Sequence, residues 1–560
     1  MVKIRKLAWG FLSLVTATSM LSACGNGSDG NNATATSGST TASAEASNSG
    51  PVDTSNPLKY DPPITIRATL SDSGKNFLNE GDSLEDNVWT RGYEQELGIK
   101  VKYDWITDQA NEVEKMNVTL AGGDLPEILN VHDTQLQRLV EAGQVADLTD
   151  AYNKYASDQL KSYLSASDGV ALKTVTLDGK MVAIPNFTGT LDSAHMVWIR
   201  QDWMKKLNLQ QPKTMDDLIA IAQAFVNDDP DGNGKKDTYG LVLTKALNTD
   251  SMFQPTGFLN GYHAFLDSWV QDASGNYVYS TIQPEVKTAL AKLQELYKTG
   301  IIDPEFGTKD ASKTGETVNS GKAGMFFGPM YAPFPVGDSV KNDKNADWVP
   351  YPIPSSDDKP AVVQTSVSIS NYYAVQAEYE HPEALIKMLN YQIEKMYGEN
   401  AATERRKFTG ESDQGWHMAT VSLLPPDKNL TFQIQIKAAL DANDPSSLDV
   451  EGKGYYDGIM KYRAGDRSAW WQERIFGPES SQSVIKYYKD NNLTYVNPFV
   501  YAPTKSMTSY KSTLEKLQLE TFTKIIYGAS SIDEFDKFVA SWKKLGGDKI
   551  TTEVNELLKK

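Results

Sequence analysis

The chain has 560 residues with 72 acidic against 55 basic side chains, a net charge of −17 and one cysteine. That balance argues against a nucleic-acid binder, which needs a basic patch, and a lone cysteine excludes a disulfide within the molecule. The length is large for one core and points to two or more lobes.

In chain order, the first element is an address. Lys3, Arg5 and Lys6 precede an uncharged apolar stretch from Leu7 to Leu21. A membrane-spanning helix needs about 20 apolar residues, so this shorter stretch reads as a signal peptide over 1–23. It ends in Leu21-Ser22-Ala23-Cys24, the bacterial lipobox pattern, in which the Cys24 thiol takes a diacylglyceryl group and becomes the new N-terminus. A catalytic thiol is the poorer reading, because Cys24 abuts a signal segment and not a fold. At least two acyl chains on Cys24 would hold the chain stably on the outer face of the cell membrane. Residues 24–57 are rich in Gly, Ser, Thr, Ala and Asn and cannot bury a core. As a flexible coil of about 33 residues they would reach about 30 Å, a tether for a globular body. Removing the three leader cations takes the net charge from −17 to about −20, which disfavours close docking on an anionic membrane.

The body alternates strands and helices. Strands are expected at Ile64–Leu70, Ile99–Ile106 and Leu125–Val131, with helices at Asp86–Leu97, stopped by Gly98, and at Asn111–Ala121, ended by Gly122-Gly123. This order implies a parallel sheet with right-handed crossovers, with ligands beyond the C-terminal strand ends. A second α/β region begins near Phe187. Its expected strands are Met196–Ile199, Tyr239–Leu243, Ala323–Phe327 and Tyr372–Val375. Its expected helices are Thr214–Asn227, capped by Thr214 with Asp217 three residues on, Pro284–Thr299 and His381–Glu394, and from about Thr508 the chain is helical to its end. There is no internal repeat.

Five segments carry a family likeness: Ala121-Gly122-Gly123-Asp124-Leu125-Pro126-Glu127-Ile128; Leu177-Asp178-Gly179-Lys180-Met181-Val182-Ala183-Ile184-Pro185; Trp198-Ile199-Arg200-Gln201-Asp202-Trp203-Met204; Gly321-Lys322-Ala323-Gly324-Met325-Phe326; and Ile525-Ile526-Tyr527-Gly528 followed by Phe535-Asp536-Lys537-Phe538. In this order behind a lipobox, the chain resembles family 1 extracellular solute-binding proteins of ABC transporters, above all the large Gram-positive lipoproteins and the alginate-binding proteins. The resemblance implies an α/β, two-lobed periplasmic-binding-protein-like fold whose lobes are joined by several crossovers and close on a ligand by a hinge motion. The expected lobes are 58–186 with 366–430, and 187–365 with 431–560. The implied partners are a carbohydrate, two permease subunits and their ATPase, around a monomeric binding protein. No Walker A motif occurs, so the chain does not hydrolyse ATP itself.

The sharpest local motif is Asp229-Pro230-Asp231-Gly232-Asn233-Gly234-Lys235-Lys236-Asp237-Thr238-Tyr239-Gly240. Oxygens fall at positions 1, 3, 5 and 9 with glycine at 6, which matches the first three quarters of an EF-hand calcium loop. Asp229, Asp231, Asn233, the Lys235 carbonyl and Asp237 are the expected ligands of a structural Ca2+. An EF-hand has glutamate at position 12, where this chain has Gly240. The alginate-binding proteins carry a similar loop with an acidic residue where this chain has Thr238, the remaining candidate ligand. The alternative is an Asx/Gly-rich turn that binds nothing.

Sugar rings stack on aromatic faces, and the chain holds 27 Tyr, 18 Phe and 11 Trp, although most such rings are core residues. Candidate contacts are Tyr262 (beside His263) and Trp269 in the middle region, Tyr331 at a strand end, Trp416 (beside His417) in an irregular stretch, and Trp470, paired with Trp471. Asp72 and His132 are favoured by topology. Trp198 and Trp203 read as packing residues. Arg200 and Arg467 could face a uronic-acid carboxylate, and equally an ion pair.

Three rivals remain. A glycan-degrading enzyme needs a carboxylate pair about 5 to 10 Å apart, which no motif singles out. No Gly-x-Ser-x-Gly or His-Glu-x-x-His is present, and the histidines at 132, 195, 263, 381 and 417 lack metal-ligand spacing. The others are a ligand-sensing lipoprotein of the same fold and a structural surface lipoprotein.

Overall fold

Apolar side chains gather into two large cores, and the rest of the fold follows from how the chain threads them. The computed structural model describes residues 58–72, 80–247, 252–410, 415–501 and 503–559; the leader, Cys24 and the tether lie outside them. Residues Thr54–Lys560 form one contact unit. Within it, the first core draws on residues 66–184 and 372–423, and the second on 191–363 and 430–554. The backbone therefore passes between the cores three times, near 185–190, 364–371 and 424–429.

In the first core, strands Ile64–Asp72 and Ile99–Asp108 pair in parallel, with one register shift after Ala68. Between them the expected helix is a short one, Val88–Gly92, capped by Asn87, whose side chain accepts from the Trp89 and Thr90 amides. It widens into a looser turn, Tyr93–Leu97. Gly98 ends it at φ +65°, where a Cβ would lie 2.3 Å from the Tyr60 carbonyl oxygen, so backbone angle and space both require glycine. The next helix is Glu112–Gly122.

The third strand, Ile128–Val131, corrects the expectation of a continuous parallel sheet. It ladders antiparallel to Ser368–Val375, which pairs on its other side, again antiparallel, with Ile184–Gly189. Local apolar pattern specifies a strand but not its neighbour, and here a much later segment fills the place.

The second core is built on Met196–Arg200, buried at every position and flanked antiparallel by Ala323–Gly328 and Trp348–Tyr351, with Tyr239–Leu241 parallel beside Ala323–Gly328. A strand covered on both faces reads as an apolar run, as Met196-Val197-Trp198-Ile199 does. Helix Met215–Asn227 starts at a reciprocal cap. The Thr214 hydroxyl accepts from the Asp217 amide at 3.1 Å, and the Asp217 carboxylate accepts from the Thr214 amide at 3.0 Å. Trp198 stacks on Phe326 and Trp203 meets Phe225 edge-on, both as packing residues. The C-terminal stretch forms helices Lys505–Ile526, Glu534–Trp542 and Asp548–Leu558, which send Phe522, Phe535, Phe538 and Trp542 into this core. The architecture is mixed α/β, and no described helix is long and apolar enough to cross a membrane.

The crossings are tied to one another. Asp192, just past the first, accepts from Asn429 at 2.7 Å and from Gln482 at 2.8 Å. The Ser193 hydroxyl accepts from the Ser366 amide on the second at 2.9 Å. Burial pushes the Asp192 carboxyl above the usual aspartate range, against the pull of its two amide donors.

Candidate functional site

Between the two cores lie cavities of about 380 and 410 Å³, and a third of about 360 Å³, lined by the second half alone, shares lining residues with both, so that the three run together as one groove. The central chamber takes Asp133, Thr174 and Tyr372 from the first half and Thr256, Leu266 and Asp267 from the second. Its floor is the second crossing, Gln364 to Ile369, together with Asn497, Phe499, Val500 and Tyr501. The short strand Thr494–Val496 pairs in parallel with Val363–Thr365, which fixes the irregular segment after it against the crossing.

Asp267 is placed by its neighbours. Gln364 clamps the preceding residue, accepting from the Leu266 amide at 3.0 Å and donating to its carbonyl at 2.7 Å. Asp267 itself takes a left-handed φ of 52°, and its amide donates to the Thr281 hydroxyl at 2.8 Å. Its carboxylate accepts from the Tyr279 hydroxyl at 2.5 Å. Burial pushes the Asp267 carboxyl above the usual range, opposed by the hydrogen bond from Tyr279. The Tyr279 phenol is raised by burial and then by Asp267, and its ring stacks on Trp542 at 4.7 Å.

Asp133 opens the helix Asp133–Glu141, where the first-turn amides favour a carboxylate. The Tyr372 phenol beside it is pushed up by burial first, then by the charge of Asp133. Each half thus contributes a carboxylate backed by a tyrosine. With the Thr, Ser, Asn and Gln side chains and the half-buried rings of Phe499 and Tyr501, the groove offers acceptors and apolar faces to a hydroxyl-rich guest.

Of the residues singled out from sequence for ligand contact, Trp269 lines the groove, tilted against Tyr279 with ring centroids 5.3 Å apart. The others are not among its lining residues. His132 is the half-buried residue immediately before Asp133, and Asp72 closes the first strand. Tyr262 packs on Phe258, Trp416 stacks on His417 at 3.7 Å, and Tyr331 is exposed beside the helix Pro333–Asn342. Trp470 is buried, and its indole N–H donates to Asp347 at 3.1 Å. Both candidate arginines are occupied: Arg200 by Asp202 and Asp343 and by the ring of Trp203, Arg467 by the carbonyls of Val340, Asp343 and Ala346.

Sequence reading missed Asp133, Asp267, Tyr372, Phe499 and Tyr501. Topology reached the correct strand end and stopped one residue short of Asp133. The aromatics of Asn497-Pro498-Phe499-Val500-Tyr501-Ala502-Pro503, set between two prolines, were a usable signal for an ordered, ring-bearing loop.

In the loop after Met215–Asn227, oxygens gather around Asn233. Its amide nitrogen donates to Asp231 at 2.7 Å and to Asp237 at 3.0 Å, while the Asn233 and Gly234 backbone amides donate to Asp229 at 3.1 and 3.0 Å. The donor set suits a hard cation, with Gly232 and Gly234 at positive φ to make the turn. Among the described residues, however, no three acidic or histidine side chains form a ready-made metal cluster. Thr238 points elsewhere: it is buried, and its hydroxyl donates to the Phe225 carbonyl at 2.6 Å.

A profile for the family described as bacterial extracellular solute-binding protein matches residues 75–399, more than half of the chain. The chain is 24% identical over 479 residues to the Lipoprotein LipO of Bacillus subtilis strain 168, covering 83% of this chain and 88% of that protein. It is 29% identical over 245 residues to the fructooligosaccharide ABC transporter substrate-binding protein FusA of Streptococcus pneumoniae, covering 42% of this chain and 45% of that one. A solved structure of a FusA EF-hand mutant in complex with fructo-nystose superposes with a TM-score of 0.52 at 16% identity, over 89% of this chain and 99% of that chain. An HMO-binding, ABC-transporter-associated solute-binding protein from Bifidobacterium longum infantis gives a TM-score of 0.59 at 16% identity, over 89% and 98%. At such identity the structures establish the fold alone.

Proposed function

The chain belongs to the bacterial extracellular solute-binding proteins, and from that premise we propose that it is the substrate-binding component of an ABC importer that captures an oligosaccharide. It is a binder and not an enzyme. The observation that carries the reading is the groove lined from both cores and floored by a crossing strand. A guest there touches both halves, and such a guest drives closure, because it gains contacts in the shut state that the open state lacks. The lobes that close are 58–186 with 366–430, and 187–365 with 431–560. The names of FusA and of the HMO-binding protein support a carbohydrate guest and an ABC permease with its ATPase as partners. The lipobox at Cys24, together with the lipoprotein name of LipO, supports a lipid anchor that keeps the protein beside its permease.

The loop at 229–237 would hold a structural Ca2+ through Asp229, Asp231, Asn233, Asp237 and the Lys235 carbonyl, without Thr238, whose hydroxyl is committed to Phe225. The EF-hand of FusA supports this reading.

Calorimetry of the secreted chain against an oligosaccharide panel, with small-angle scattering at saturation, tests the function. Tight binding with a smaller radius of gyration is expected. Tight binding with an unchanged scattering profile would sink hinge closure, and uptake that survives deletion of the gene would sink the transport role.

A further inference from the structure

Resting on the reading that the groove holds a carbohydrate, we infer that it selects an uncharged oligosaccharide and rejects uronic-acid chains, through a pair of tyrosine-backed carboxylates, Asp133 and Asp267, one from each half.

The charge census of the groove points one way. Its charged lining residues are Asp133, Glu141, Asp267, Glu515 and Lys511. Among the described residues the one cation of the lining is Lys511, which lies in an outer chamber and is paired with Glu515 at 3.7 Å. The central chamber has two carboxylates and no cation among the described residues. A uronate needs the reverse: a planar guanidinium fork or an ammonium to replace the water it loses. The two arginines that sequence offered for that task are bound to Asp202, Asp343 and backbone carbonyls. A chain carrying −17 adds a long-range field of the same sign as the guest.

The same carboxylates suit a neutral sugar. An ionised aspartate only accepts, with about four lone-pair sites. Tyr372 lines the chamber together with Asp133, and one site on Asp267 is taken by the Tyr279 hydroxyl. The others remain for hydroxyls of the guest, which donate readily to a charged acceptor. Because one carboxylate belongs to each half, a guest that donates to both bridges the groove. A guest carboxylate at that place would instead meet like charge from both sides, a discrimination of roughly 100-fold.

The test uses the secreted chain and matched probes: neutral trisaccharides (kestose, xylotriose, maltotriose, galactotriose), trigalacturonate and the methyl ester of trigalacturonate. Melting temperature and calorimetric Kd are read. The expected result is binding of at least one neutral probe, with trigalacturonate about 100-fold weaker than the tightest neutral probe. Asp133→Asn and Asp267→Asn should each weaken the neutral probe about tenfold and narrow the gap to trigalacturonate. Both substitutions are nearly isosteric. If Asp267→Asn melts lower, the exposed Asp133→Asn decides alone. Trigalacturonate binding as well as or better than its ester or the neutral probes overturns the inference while leaving the carbohydrate reading standing. Unchanged discrimination in the variants also overturns it. No response to any saccharide overturns the carbohydrate reading and this inference with it.

Discussion

The groove and the loop at 229–237 are both rich in carboxylates, and they are assembled in opposite ways. In the loop, Asp229, Asp231 and Asp237 lie within nine residues and are drawn together by one asparagine. In the groove, Asp133 and Asp267 come from different halves and line one cavity only because the chain crosses between them. A site built from consecutive residues is carried by local backbone geometry. A site built across two bodies exists only while both are folded and correctly hinged. The first should therefore govern stability and the second affinity, and the two should respond to different perturbations.

The sharpest separation is expected from Asp133→Asn with Asp267→Asn. The double variant should lose about 100-fold or more in affinity for the guest, while the free protein melts within about 2 °C of the parent. An equal loss of melting temperature would mean that these carboxylates hold the fold and do not select the guest.

The loop should behave in reverse. Chelation, or Asp231→Asn, is expected to lower the melting temperature by about 3 °C or more, with calcium restoring the parent but not the variant, and with guest affinity unchanged within twofold. A melting curve indifferent to calcium would reduce the loop to a turn.

Acid should reach the groove before it reaches ordinary surface carboxylates. Asp267 is raised above the usual aspartate range, mainly by burial and further by the charge of Glu515, against the pull of Tyr279 and Lys511. The hydroxyl-accepting form is the ionised one, so affinity should fall as pH drops through this raised pKa, above the range where a solvated aspartate titrates. The sign for folding is the opposite. A carboxyl raised in the native state destabilises that state when ionised, so stability gains from this group as the pH falls. Titrating guest affinity in parent and Asp267→Asn checks both the position and the owner of the step.

The smallest expected effect on binding is that of Trp470→Phe. It removes the donor to Asp347 and should cost about 1 kcal/mol of stability with affinity unchanged within twofold. Lost affinity would return Trp470 to the groove.

Legibility followed the same division. The Thr214–Asp217 cap, the stop at Gly98 and the apolar run Met196-Val197-Trp198-Ile199 were readable because each is decided within a few residues, by a side chain reaching its own backbone, a sterically required φ, or burial on both faces. The neighbour of Ile128–Val131 was not readable, since any apolar strand could occupy that place and a segment from beyond the second crossing does. The groove was nearly so: topology led to His132 while the wall is Asp133, and Tyr262 and Trp269 bracketed Asp267 without revealing it.

By itself, the sequence determined the α/β class, the oxygen pattern of the loop and the family, because these are written in local periodicity, in spacing and in short segments kept in order. Only the tertiary structure decided which aromatic rings are core and which face the groove, where the two arginines spend their charge, and which carboxylates line one cavity. Those outcomes depend on contacts between residues hundreds of positions apart, and no local pattern carries them.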